Sequence, residues 1–390
     1  MATDNTRDAK AKLGILRNRL VNWLTDAAYP MWATNGIDPL NGGFIETIGQ
    51  NGAGLAHPRR ARVHPRQIYS FAQAPVLGWG GDARRVLRRG MEYFSKYYRR
   101  SDGLFRTLAA VDGASLDDKA VLYDQAFALL GYSVAGVGLE ARDEFEQRAL
   151  ELRTAIDATF RDGSGAFRSH EAGDGPIESN PHMHLLEACL AWTEVGTDSG
   201  WREWAHQLLD LAMRHFIRAD SGALGEFFTA DLKPAPGTPG RIIEPGHQFE
   251  WAWLLLRSEA LHSGPLRQAA LKLMDIGENA GVHNQVAINA LLDDFSVHDP
   301  NARFWPQTER LKAALFAAQA SGEEKYWVIA AAAAASFLPY LKTPVAGLWL
   351  DVQLPSGELV DSPAPASTFY HLVGAIVALD NTLAAVNHPT

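Results

Sequence analysis

The chain has 390 residues, nearly half of them apolar (47%), and carries 45 acidic against 36 basic side chains for a formal charge of −9. That balance speaks for solubility and a sizeable core and against a nucleic-acid partner. Cys189 is the single cysteine, which excludes an intrachain disulfide and a cysteine-rich zinc site.

Met1–Lys10 is polar and shows no apolar leader. The longest apolar run, Trp327–Leu338, stops at Pro339, short of the roughly 20 residues a membrane helix needs. A cytoplasmic protein without a membrane partner is the expectation. Along the chain most segments repeat their apolar residues with a period near 3.6, and alternating β-branched runs are scarce. A loop carrying Arg59, Arg60 and Arg62 leads into the first apolar helix and reads as solvated, or else as the holder of an anionic substituent. That helix opens with His64-Pro65-Arg66-Gln67. Five more apolar helices follow, opening at Tyr123-Asp124-Gln125, Asn180-Pro181-His182-Met183-His184, Glu244-Pro245-Gly246-His247, Trp305-Pro306-Gln307-Thr308-Glu309 and Ser367-Thr368-Phe369-Tyr370-His371. The markers Arg66, Asp124, His184, His247, Glu309 and His371 recur every 58 to 63 residues.

Four of these openings place proline where the first helical position is expected, and Asn180 and Ser367 suit the N-cap. More highly charged helices lie between them, at Asp82–Tyr98, Asp143–Phe160, Gly200–Phe216 and Glu323–Tyr340. Glycine-aromatic segments, Gly42-Gly43-Phe44, Gly103-Leu104-Phe105, Gly165-Ala166-Phe167 and Gly347-Leu348-Trp349, predict brief strands or hairpins in the loops. Six pairs of helices build either an open solenoid or a closed toroid, and the apolar inner set favours closure. In a toroid the six inner helices begin at one end, so their opening polar residues converge. The Pro/Gly-rich stretch Lys233–Gly240 lies inside one repeat, and residues 1–390 read as one domain.

Within the constellation, His184, His247 and His371 read as equivalent positions in three repeats and supply groups that titrate near neutrality. His247 and Glu250 lie three apart on one helix face, which lets Glu250 orient the imidazole. Arg66 opens an otherwise apolar helix, where an unpaired charge is costly, so a role at sugar hydroxyls or a developing enediolate is preferred. Glu250 with Glu309 also has the makings of a glycosidase carboxylate pair. Trp305, Trp251, Trp253 and Trp349 are candidates for stacking on a sugar face. His182 and His184 point to different helix faces and cannot readily chelate one ion, and no His-Glu-x-x-His pattern, phosphate loop or dinucleotide fingerprint occurs. Neither a metal nor a cofactor is expected.

The segments Val63-His64-Pro65-Arg66-Gln67, Leu122-Tyr123-Asp124-Gln125-Ala126-Phe127, Asn180 through Ala188, Gly246-His247-Gln248-Phe249-Glu250-Trp251 and Tyr370-His371, in this order and spacing, resemble the N-acylglucosamine 2-epimerase superfamily over almost the whole chain. The resemblance implies an all-α fold, an (α/α)6 barrel of six inner and six outer helices. It implies catalytic roles for His247 and His371 and sugar contacts from Arg66, Tyr123, Asn180, His184 and Glu250, with Trp305 and Glu309 nearby. The stretch Asp361 to His371 looks like the mannose-isomerase branch, and so does Arg303 to Glu309; the lysine-glycine-proline usual before the last histidine of cellobiose epimerases is missing. D-mannose to D-fructose isomerisation through a cis-enediol is therefore implied, with a monosaccharide as the partner and a monomer or homodimer as the assembly. A sugar 2-epimerase, an inverting glycosidase and a non-catalytic sugar binder are the rivals.

Overall fold

The computed structural model describes residues 4–387 apart from 174 and 263. Among the described residues thirteen α-helices follow in chain order: α1 Asp4–Trp23, α2 Tyr29–Thr34, α3 Val63–Gln73, α4 Ala83–Tyr98, α5 Leu122–Gly138, α6 Arg142–Phe160, α7 Ser179–Val195, α8 Gly200–Leu211, α9 Pro245–Arg257, α10 Leu266–Gly281, α11 Phe304–Ser321, α12 Glu324–Tyr340 and α13 Ala366–Asn387. Helices α3, α5, α7, α9, α11 and α13 each pack on the next, and α13 packs back on α3, which closes the inner ring. Helices α4, α6, α8, α10 and α12 each cover the inner helix that precedes them, while α1 lies against α12 and α13.

The expected alternation of buried and amphipathic helices has a direct physical cause. Helix α5 buries residues on every side, from Leu122 to Gly136, because inner helices face the barrel axis and the outer layer at once. Helix α4 buries one stripe, including Val86, Leu87, Met91 and Phe94, and its N-cap Asp82 accepts a bond from the Arg85 amide. The outer helices α1 and α10 were not singled out in the sequence, since polar residues dilute their apolar stripes. Only Pro245 stands at a first helical position. Pro65, Pro181 and Pro306 are third residues of their helices, where the amide still lacks an intrahelical acceptor. Asn180 and Ser367 likewise fall inside the first turn rather than at the N-cap.

Three of the four glycine-aromatic segments form bridges, Ile37 with Phe44, Arg99 with Phe105 and Arg161 with Phe167, whereas Gly347-Leu348-Trp349 is turn and coil. A set of glutamines pins such loops to the inner helices. The Gln125 side chain bonds both the amide and the carbonyl of Phe105, Gln248 does the same to Leu224, and Gln307 to Ala287. Two-residue strand pairs tie neighbouring repeats together, Ile177–Glu178 with Phe227–Phe228 and Ala302–Arg303 with Val352–Gln353. Thr47–Ile48 with Ala364–Pro365 joins the first repeat to the last.

The longest apolar helix is α13 rather than Trp327–Leu338. Its Ala366–Val386 span is long and apolar enough to cross a membrane by length and composition, and 56% of the apolar window is buried within the barrel. Polar residues such as Thr368, His371 and Asn381 interrupt its run in the sequence. The far halves of the inner helices line a chamber of about 710 Å³ that is open to solvent past Val76 and Val137 and whose deeper lining includes Glu187, Lys312 and Tyr370.

Candidate active site

The opening turns of the inner helices do converge. Arg66 of α3 donates to the Tyr123 hydroxyl of α5 and, at 3.3 Å, to the Ser367 carbonyl of α13. Its guanidinium lies over Phe127 at 4.2 Å, and its Nε is buried without a partner. Tyr123 meets the His184 ring edge-on at 5.0 Å. Asn180 is half-buried in the first turn of α7, and its Oδ1 has no protein partner.

The three histidines are not in one register. His184, Glu250, Glu309 and His371 are each the sixth residue of their helices and make one layer, while His247 is the third residue of α9, a turn nearer the mouth. One turn deeper, at the ninth position, lie Glu187, Trp253 and Lys312. Trp305 bridges the layers, with its ring 5.2 Å from His247 and 5.4 Å from His371. Gly246 makes room for it, since a Cβ there would stand 2.4 Å from the indole.

Each imidazole has its own carboxylate. His371 Nδ1 lies 2.7 Å from Glu309 Oε1. The other oxygen of Glu309 takes Lys312 Nζ at 2.7 Å and Trp253 Nε1 at 2.9 Å. Glu309 is therefore not free for a sugar; it lies fully buried behind His371. His247 Nδ1 lies 2.9 Å from Glu226 Oε2, and Glu244 stands 3.9 Å away. Glu250 does not orient His247, contrary to the helix-face expectation, and points instead toward His184 at 3.9 Å. Glu226 escaped the sequence reading because it comes from the loop before Phe227–Phe228, and only the strand pair with Ile177–Glu178 brings it beneath α9.

These neighbours set the two rings apart. Burial pushes the His371 pKa down to about 3; the bond to Glu309 resists this, and Arg66 and Lys312 add to it. Burial also opposes charge on His247, but Glu226 and Glu244 outweigh it and hold the ring up at about 10. Burial takes His184 down to about 4 against the pull of Glu187. Burial and the charge of Glu309 hold the Glu250 carboxyl well above the usual range. Burial alone would raise Glu309, yet Lys312 and His371 bring it to about 2.

Other expectations need correction. Two groups of possible metal ligands do form, His184 with Glu187 and Glu250, and Glu250 with Glu309 and His371, each with ligand atoms within 4.8 Å of one another. Spacing within one helix could not reveal sets assembled from several. The oxygens of Glu187 and Glu309 are already engaged, by Tyr370 and His184 and by Lys312, Trp253 and His371, while Glu250 Oε1, common to both groups, is buried without a hydrogen-bond partner. A Glu250–Glu309 separation below 4.8 Å is too short for the attacking water of an inverting glycosidase. His182 is a core residue that accepts from the Phe167 amide and bonds the Glu178 carbonyl. Trp251 and Trp349 are fully buried, and Trp349 stacks on Trp32 and Phe369, which leaves half-buried Trp305 as the open ring of the four. The arginines of this loop are paired, although the Arg60 side chain stays 41% exposed. Arg59 is buried against Asp38, Arg60 pairs with Glu46, and Arg62 pairs with Asp124 at 2.8 Å.

A closed ring of six helix pairs with acid-base side chains gathered where the inner helices begin is an (α/α)6-barrel enzyme of the sugar isomerase and epimerase kind. The chain belongs to the N-acylglucosamine 2-epimerase family, whose sequence profile matches residues 43–375. It is 46% identical over 373 residues to the mannose-6-phosphate isomerase of Rhizobium meliloti (strain 1021), covering 93% of this chain and 96% of that one. With the D-mannose isomerase of Marinomonas mediterranea it shares 25% identity, over 75% and 78% of the two chains. The solved cellobiose 2-epimerase of Spirochaeta thermophila superimposes with a TM-score of 0.86 at 22% identity, over 96% and 98% of the two chains.

Proposed function

We propose that residues 1–390 form one catalytic domain that interconverts D-mannose and D-fructose through a cis-enediol. In this reading charged His247 protonates the ring oxygen as the pyranose opens and recovers a proton from the O1 hydroxyl. Neutral His371, its Nδ1–H given to Glu309, uses Nε2 to take the proton from carbon 2 and return it to carbon 1. His247 then moves a proton from O2 to O1. Arg66 offsets the negative charge that grows on those oxygens. Tyr123, Asn180, His184 and Trp305 hold the sugar, and Glu250, buried beside Glu309, closes the floor. The observation that carries this reading is the pair of imidazoles packed on one tryptophan with opposite settings, an arrangement suited to an acid and a base.

The charges also favour an unphosphorylated sugar. Arg60, Arg62 and Arg303 are each committed to a carboxylate, Glu46, Asp124 and Glu244. The Rhizobium meliloti relative is named for a phosphorylated substrate, so the two possibilities are directly testable. Incubation with D-mannose in deuterated water, followed by NMR, should show D-fructose carrying some deuterium at carbon 1. No exchange at carbon 2 and no fructose would end the proposal.

A further inference from the structure

The two carboxylates behind the histidines differ in one respect. Glu309 is neutralised by Lys312, a side chain 5% exposed at the bottom of the histidine layer, at 2.7 Å. Glu226, equally enclosed at 4% exposure, is held only by donors without formal charge besides His247: the Ser179 hydroxyl at 3.1 Å and the Glu244 amide at 3.2 Å. Among the described residues no lysine or arginine forms an ion pair with it.

We propose that Lys312 and Glu226 are positioning residues that assign the roles of base and acid, Lys312 by cancelling the carboxylate behind His371 and Glu226 by leaving the one behind His247 uncancelled. The proposal rests on the reaction given above and adds two residues to it. Consider what one more proton would meet at each ring. At His371 the neighbours are the Glu309–Lys312 pair, Arg66 from α3, and Glu250 from α9, whose carboxyl burial and Glu309 hold well above the usual range. A proton there adds net positive charge inside a buried layer. At His247 the neighbours are Glu226, Glu244, Glu250 from its own helix and neutral His184 from α7, with Arg303 3.3 Å from Glu244 as the offsetting cation. A proton there balances charge that is otherwise in excess. Both rings sit on the same indole and both are buried, so desolvation alone would treat them alike. Beside Arg66 at the one ring and Glu244 at the other, the asymmetry lies in the cation that one carboxylate has and the other lacks.

The test uses two variants whose effects run in opposite directions. Lys312→Met frees the charge of Glu309, so His371 gains a proton near neutrality. The acidic limb of the pH–kcat profile should move up by at least about one unit, with activity recovering at high pH. Glu226→Gln removes the charge behind His247 while keeping an acceptor, so the alkaline limb should move down by a similar amount; Glu226→Asp should restore it in part. Limbs that stay in place, or losses that are uniform across pH, would overturn the proposal. Because burying Glu309 without its lysine threatens folding, a second measurement uses the unaltered protein. Histidine NMR, assigned with His247→Gln and His371→Gln, should show a charged His247 and a neutral, Nδ1-protonated His371 at pH 7. Equal charge on the two rings would refute the proposal. That spectrum does not depend on turnover, so it separates failure of this proposal from failure of the isomerase reading.

Discussion

His247 and His371 pack on one tryptophan, Trp305, with centroid distances of 5.2 and 5.4 Å and the same interplanar angle of 39°. The indole therefore fixes the spacing of two rings that come from helices on either side of α11. Replacing either histidine by alanine removes a group with no equivalent nearby in the required protonation state. Each variant should lose at least ~10² in turnover, the low end for a positioned acid or base. Circular dichroism should stay close to the parent in both, while the His247 variant should melt lower because buried Glu226 loses its charged partner. Near-normal turnover in either variant would take that histidine out of the mechanism.

How far the site was legible depended on whether the contact lies within a repeat or between repeats. The markers Arg66, His184, Glu309 and His371 follow from the period alone, because a closed ring sends the starts of all inner helices to one end. The helix-face argument for Glu250 and His247 failed, since the pair lies on α9 but Glu250 turns down into the layer of His184 and Glu309. Glu226 and Lys312 were invisible for different reasons. Glu226 reaches its place through a two-residue strand pair that leaves almost no pattern in the sequence. Lys312 looks like any helical lysine until the barrel closes around it. The arginine loop misled because charge density suggests solvent, whereas Asp38 and Asp124 lie far from it in the chain.

Stability should fall on acidification below pH 6.5. Burial holds His64 and His371 at about 3 and His182 and His184 at about 4, against 6.5 unfolded. Between these values the unfolded chain binds protons that the fold refuses, so stability rises with pH and is complete above 6.5. Each ring contributes at most ~1.4 kcal/mol per pH unit. The raised carboxyls of Asp124, Glu178, Glu244, Glu250 and Asp351 act in the opposite sense, each only between its unfolded value and its raised folded one, and so offset part of the histidine effect. His247, held at about 10, stabilises fully below 6.5 and loses its contribution as pH rises through 10. The melting temperature should therefore drop by several degrees from pH 7 to pH 5 and drop again above pH 9. A flat profile from 7 to 5 would mean that the buried rings take up protons without unfolding.

Activity should survive exhaustive dialysis against EDTA. The oxygens of Glu187 and Glu309 are committed to protein donors, and burial beside Glu309 disfavours the ionised form of Glu250 that a metal would need. Loss of turnover that returns with zinc, magnesium or manganese would show that one of the two histidine-carboxylate groups binds an ion.

Arg66→Lys keeps a positive charge but loses the planar fork that reaches Tyr123 and the Ser367 carbonyl together. The ammonium would also sit differently over Phe127, which the guanidinium now covers at 4.2 Å. If the charge serves the enediolate, turnover should fall by more than the affinity for mannitol, a ground-state analogue that never develops that charge. Equal losses would make Arg66 a binding residue only.

The product and the substrate's charge can be read in one experiment. A single base that carries the carbon 2 proton to carbon 1 on one face gives fructose. Glucose needs a proton delivered to the other face of carbon 2, and charged His247 is the group within the site able to attempt it. Glu226 holds that ring by Nδ1 and Trp305 packs against it, an arrangement that suits service at the oxygens. Given D-mannose, fructose should accumulate first, with glucose at least about tenfold slower, or ~1.4 kcal/mol in barrier. Mannose 6-phosphate should be the poorer substrate, because its dianion would approach a chain of formal charge −9 in which Arg60, Arg62 and Arg303 are already paired with carboxylates. Raising the salt concentration should narrow that gap, since screening weakens the repulsion and leaves the neutral sugar unaffected. Early glucose would make the enzyme a 2-epimerase. A preference for the phosphate would mean that Arg60, Arg62 or Arg303 leaves its carboxylate when substrate arrives.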